Sequence, residues 1–163
     1  MIRGVHHVAI TTPDIDRLVD FYSEAFGFEV ISRGGWSAGK KVNDAIVGLT
    51  DSVARTAFLR AGNVMVEMFE YEAPPGEPNP PNRPVNDAGY THFCLDVVDI
   101  DHEVERLQSL GMRFHAPVPD ASDMGGVMRA MYGRDPDGNV IELVEFIGDS
   151  HPAIVAFANP PVR

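Results

Sequence analysis

Apolar residues recur along this chain with two periods, and the alternation between them sets out its organisation. Residues 5–11 are a short apolar run rich in β-branched side chains, which predicts a strand. Residues 14–26 then place Ile15, Leu18, Val19, Tyr22 and Phe26 at helical spacing, with Asp14 as N-cap and Gly27 as stop. Strand patterns return at 28–31, 55–60 and 64–71, the last two separated by an Ala61-Gly62-Asn63 turn. The same order follows once more. A strand is predicted at 90–98 and a helix at 101–110, with Val104, Leu107 and Leu110 on one side. Strands are predicted at 112–116, 127–132 and 140–147, with the turn Asp135-Pro136-Asp137-Gly138 before the last.

The recurrence extends to individual residues. Offsetting the chain by 85 lays His7 over His92 and Asp14-Ile15-Asp16 over Asp99-Ile100-Asp101. Gly62-Asn63-Val64 leads to Glu67 and Glu70, as Gly138-Asn139-Val140 leads to Glu142 and Glu145. The chain therefore reads as a duplicated βαβββ unit. The expected organisation is a first module at 1–72, a proline-rich linker at 73–88, a second module at 89–147 and a tail at 148–163. Six prolines within 74–84 exclude regular structure in the linker. Residues 34–51 read as a second long irregular segment, and Ile154, Val155 and Phe157 as apolar packing residues of the tail.

Strand parity selects the chemistry. Glu67 shares its face with Met65, Phe69 and Tyr71, while Glu70 points the other way. Glu142 shares its face with Val140 and Val144, opposite to Glu145. Each module thus projects one carboxylate among apolar neighbours, where an uncompensated charge is costly. His7 and His92 occupy equivalent points of the first strand of each module. The four residues are predicted to form one divalent-metal site. A His2Glu2 set suits zinc, nickel, cobalt, iron or manganese. Parity places His6 on the opposite face, and His102, His115 and His151, without repeat partners, read as surface residues. Trp36, Phe58, Met65 and Phe69 are candidate apolar walls, with plain core as the simpler reading of each. Arg33, Arg55, Arg129 and Arg134 are candidate anion contacts, with surface charge as the simpler reading.

Composition narrows the partners. A net charge of −11 argues against nucleic acid and anionic membrane surfaces, which need clustered Lys and Arg. No stretch approaches the roughly 20 apolar residues of a membrane span, and the first residues lack the apolar core of a signal peptide, so a cytoplasmic protein is expected. The lone cysteine, Cys94, lies in an apolar run and reads as a buried, inert thiol.

The motifs His7-Val-Ala-Ile, Asp16-Arg17 through Phe21-Tyr22, Val66-Glu67-Met68, Thr91-His92-Phe93 and Asp135-Pro-Asp-Gly-Asn-Val-Ile-Glu142-Leu resemble the vicinal oxygen chelate superfamily over residues 5–146. That superfamily includes glyoxalase I, methylmalonyl-CoA epimerase, extradiol dioxygenases and the bleomycin and fosfomycin resistance proteins. The resemblance implies an α+β fold of two tandem βαβββ modules, whose curled mixed sheets form a metal-binding cleft. It also implies metal ligation by His7, Glu67, His92 and Glu142, in a glyoxalase-I-like pattern. Thr11 stands where bacterial glyoxalase I carries an arginine for glutathione, and Glu67 where methylmalonyl-CoA epimerase carries glutamine.

The expected activity is a metal-dependent lyase or isomerase of a small substrate chelated through vicinal oxygens. Glu142 or Glu67 would be the base next to a carbonyl. The alternatives are an iron(II) extradiol-type dioxygenase and a non-catalytic binding or resistance protein. A homodimer is the expected assembly.

Overall fold

Eight strands and three α-helices occur among the residues that the computed structural model describes, which are 1–149, 151, 152 and 154. The chain divides into two units, Met1–Pro78 and Asn79–Arg163. The tail residues Val155 and Phe157 lie outside the described residues.

The first unit runs β1 (His7–Thr11), α1 (Ile15–Phe26), β2 (Glu29–Trp36), α2 (Lys41–Val47), β3 (Val53–Ala61) and β4 (Val64–Ala73). Its sheet has the order β1-β4-β3-β2, with β1 parallel to β4 and the other pairs antiparallel. The second unit runs β5 (His92–Asp96), α3 (Ile100–Ser109), β6 (Arg113–Phe114), a 3-10 turn (Ala121–Met124), β7 (Met128–Arg134) and β8 (Val140–Phe146). Its order, β5-β8-β7-β6, repeats the first with the same parallel outer pair. The repeat found in the residues is thus a repeat of topology, and the α+β class with two mixed four-stranded sheets follows.

Helices α1 and α3 each cover one face of their own sheet. Asp14 caps α1 by accepting from the Arg17 backbone N–H at 3.1 Å. Ile15, Leu18, Val19 and Tyr22 are buried on α1, as are Ala57, Leu59, Val66 and Met68 on the strands. These strand residues alternate with Phe58 and Glu67, so one face is core and the other carries the candidate chemistry. In the second unit Ile100, Leu107, Ile141 and Leu143 play the same part. Full burial of one such aliphatic side chain stabilises by about 1.5–3 kcal/mol.

The glutamates that parity turned away from the site serve the helices. Glu70 accepts from the Ile15 N–H at 3.0 Å and pairs with Arg55, which also holds Asp16. Glu145 accepts from the Asp99 N–H at 2.7 Å and lies 3.7 Å from Arg129, which also holds Asp101. An acid at a helix N-terminus satisfies an orphan donor and complements the dipole.

Three expectations are corrected. Residues 34–51 are not irregular throughout: β2 extends to Trp36 and α2 follows, closed by Asp44, which accepts from the Ser52 and Asp51 backbone N–H groups. The strand expected at 112–116 shrinks to two residues. Gly133 lets Met112 and Phe114 pack onto the backbone there, and His115 follows the strand with a bond from its N–H to the Tyr132 carbonyl. Arg134 is no surface charge: it is buried, and donates to the carbonyls of Gly138 and Arg83.

Candidate active site

On the exposed face of the first sheet, β1 and β4 lie side by side, with Ala9 in register with Glu67 and His7 with Met65. The His7 Nε2 lies 3.2 Å from Glu67 Oε2. Phe58, in register with Glu67 on β3, packs edge-on against the His7 ring at 5.6 Å. This face gives Glu67 few donors. Burial pushes its carboxyl above the usual range, and the charges of His7 and then His6 only partly offset that.

The second sheet repeats the pair. The His92 Nε2 lies 3.1 Å from Glu142 Oε2. The Thr91 hydroxyl lies 2.8 Å from His92 Nδ1 and so holds the ring with Nε2 toward the carboxylate. Tyr132, in register with Glu142, has its ring centroid 4.6 Å from that of His92. Burial, then the charge of Glu142, raises the Tyr132 hydroxyl pKa.

The structure therefore brings the four selected residues together as two pairs, one in each unit. Among the described residues, no group of three or more His, Cys, Asp or Glu side chains stands arranged to hold a metal. The donor set of each pair still fits a divalent ion. It offers an imidazole nitrogen and a carboxylate oxygen, and the raised Glu67 carboxyl lacks the positive charge that a metal supplies.

His6 departs from its expected place. It precedes β1, so strand parity does not bind it, and its Nδ1 lies 2.9 Å from that of His7. The His6-His7 dipeptide was the available signal. His115 is exposed, as expected of a surface residue; its ring packs edge-on against Tyr132 at 6.3 Å, and desolvation and then Arg134 lower its pKa.

Cys94, in register with Glu142, is exposed rather than buried. Its sulfur is nonetheless crowded: desolvation, then Glu142, push the thiol up to about 12, so it is inert as expected. Trp36, Phe58, Met65 and Phe69 are all partly exposed on the Glu67 face and do not belong to the core.

Comparison with known proteins agrees with the fold. The family model described as Glyoxalase/Bleomycin resistance protein/Dioxygenase superfamily matches residues 4–143. A 2-epi-5-epi-valiolone epimerase from Actinomyces sp is 34% identical over 151 residues, covering 86% of this chain and 78% of that protein. The crystal structure of a glyoxalase family protein from Bacillus cereus superposes with a TM-score of 0.80 at 24% identity, over 91% of this chain and 97% of the other. A glutamate-to-glutamine mutant of the fosfomycin resistance protein FosX from Listeria monocytogenes, complexed with Mn(II) and 1S,2S-dihydroxypropylphosphonic acid, superposes with a TM-score of 0.58. Identity there is 18%, over 90% and 95% of the two chains.

Proposed function

The chain belongs to the glyoxalase/bleomycin resistance protein/dioxygenase superfamily, and from that premise we propose that it is a divalent-metal-dependent isomerase, an epimerase in its most specific form. The observation that carries this reading is the pair of His–Glu contacts on repeat-equivalent strands, His7 with Glu67 and His92 with Glu142. Each pair would offer an ion one imidazole nitrogen and one carboxylate oxygen. A bound divalent metal would supply Lewis acidity beside a chelated carbonyl.

The protein's own groups then move the proton. Glu67, set beside His7 and Phe58 on this face, accepts the proton from carbon. Glu142, recharged with a proton from solvent, would return one to the carbon, and Glu67 would release its proton to solvent. Return to the other face of the carbon inverts it, and no redox partner is needed. His92, held through Thr91, keeps the Glu142 oxygen oriented. The relative at 34% identity is named an epimerase, which favours inversion over elimination.

The partner in this reading is a small molecule, the assembly a homodimer and the compartment the cytoplasm. No helix among the described residues is long and apolar enough to cross a membrane.

Solvent-deuterium exchange tests the proposal. The protein loaded in turn with Zn, Ni, Co, Fe(II) or Mn is incubated in D2O with hydroxyketones, and substrate label is read by mass spectrometry. Label should appear at the carbon next to the carbonyl with at least one metal. Glu67→Gln and Glu142→Gln should each slow it by about 10²–10⁴-fold. Undiminished exchange in the double variant defeats the mechanism.

A further inference from the structure

Beside Glu67, on the same face of the first sheet, three aromatic rings form a wall. The Trp36 ring lies 6.2 Å from that of Phe69 and 6.1 Å from that of Tyr71. Phe69 and Tyr71 stack at 5.7 Å, with 11° between their planes. All three are partly exposed, and the core lies on the other face of the sheet. Phe69 follows Glu67 by two residues, about 7 Å along the strand.

The wall is held rigidly. The Trp36 indole N–H donates to Ser52 Oγ at 2.8 Å, and the fully buried Ser52 donates its hydroxyl to Asp44 Oδ1 at 2.5 Å. Asp44 is itself fixed by two backbone N–H groups, at 2.8 and 3.1 Å. A half-exposed aromatic ring locked by a partly buried hydrogen-bond chain is a preorganised contact surface.

Hydroxyls stand beside the rings. Thr56 is in register with Phe69, and Ser32 with Phe58, so both share the Glu67 face. Positive charge, by contrast, is paired: of the strand arginines only Arg60, in register with Met65, shares the Glu67 face. The strands of this sheet contain three arginines and no lysine. Arg33 and Arg55 bind Asp16 on the helix side, and Arg60 binds Glu29. An acyl-CoA, a glutathione adduct or a phosphonate needs uncommitted cations, preferably an arginine fork.

Resting on the proton-transfer reading above, we infer that the substrate is an uncharged, hydroxylated cyclic ketone. Its C–H face lies on the Trp36–Phe69–Tyr71 wall, and its hydroxyls meet Thr56 and Ser32. Apolar C–H faces pack well on aromatic rings, while hydroxyl groups at the ring edge keep their hydrogen bonds. The carbonyl is the group that the carboxylate chemistry requires.

The wall supplies its own reporter, because Trp36 is the sole tryptophan of the chain. The metal-loaded protein is titrated with a polyhydroxylated cyclohexanone, a neutral aromatic ketone, an acyl-CoA and an S-substituted glutathione, following tryptophan emission. The cyclic polyol ketone should give a saturable change at a concentration at least tenfold lower than any other ligand. Calorimetric affinity for it should fall at least tenfold in Trp36→Ala and less in Trp36→Phe, with metal affinity unchanged in both. Equal or tighter binding of a charged or aromatic ligand overturns the proposal, as does the absence of any response to the polyol ketone. Deuterium exchange separates the two readings. If exchange persists on another class of carbonyl compound while the wall test fails, only the substrate class falls. If exchange fails for every compound, the proton-transfer reading falls.

Discussion

Asp135 is the most consequential single carboxylate for the stability of the second unit. It is fully buried, between the end of β7 and the turn into β8. One oxygen accepts the backbone N–H groups of Asp137 and Asn139, both at 2.9 Å, and the other accepts the Asn139 side-chain amide at 2.8 Å. A hydrogen bond to a charged group contributes about 1.5–3 kcal/mol net. Asp135→Ala removes the acceptor from all three donors. Because water reaches part of this turn, the lower end of the range applies, and the loss should be about 3–5 kcal/mol. Set against a typical total of about 5–15 kcal/mol, that is severe. Asp135→Asn keeps an oxygen for the two backbone donors and turns an NH2 toward the Asn139 amide, so it should lose about 1–2 kcal/mol. Urea unfolding followed by far-UV circular dichroism measures both. With a slope of about 1–3 kcal/mol per molar urea, the alanine variant should shift its midpoint by about 2 M at a mid-range slope. A shift in Asp135→Ala worth less than about 1 kcal/mol would refute the reasoning, and so would an asparagine variant as damaged as the alanine one.

Three further outcomes are expected. In the metal-free protein, Glu67→Gln should raise Tm at pH 7. The folded carboxyl pKa is raised by burial, so the ionised form opposes folding above it, and the gain should vanish below about pH 4, where the side chain is protonated both folded and unfolded; a gain that grows toward acid would contradict the sign. Gly35→Ala should cost at least about 3 kcal/mol by chemical denaturation, because φ is +149° and an added Cβ would sit on the Ala54 carbonyl oxygen; a near-neutral result would show that β2 lies elsewhere. Glu70→Gln and Glu145→Gln should each lose about 1 kcal/mol, measured by the same denaturation, through weaker capping of α1 and α3; they should leave deuterium exchange largely intact, which separates them from Glu67→Gln and Glu142→Gln.

The repeat made most of the fold legible. Two equivalent histidines, two Asp-Ile-Asp segments and two Gly-Asn-Val runs pointed to two units, and the sheets have one strand order in common. Parity along β4 and β8 separated Glu67 and Glu142 from Glu70 and Glu145 because a strand side chain has only two directions. What escaped depended on tertiary partners. Trp36 ends an extended strand because Gly34 and Gly35 can run beside Thr56 and Arg55, which no local pattern announces. Asp44 looked like one acid among many, and its role comes from the amides of Ser52 and Asp51. Arg134 looked like surface charge because its partners are backbone carbonyls, which carry no sequence signature. His6 was misplaced by extending strand parity one residue beyond the strand.

The helix-side clamp is the same in both halves: Asp16, Arg55 and Glu70 answer to Asp101, Arg129 and Glu145. The opposite faces are not the same. Ala9, Phe58 and Phe69 in one stand where Cys94, Tyr132 and Val144 stand in the other. After an ancestral duplication, the scaffold side would have been free to stay constant because it only has to hold a helix to a sheet. The two acid–histidine pairs therefore keep different company, Phe58 beside one and Tyr132 beside the other, so each sheet presents a surface of its own.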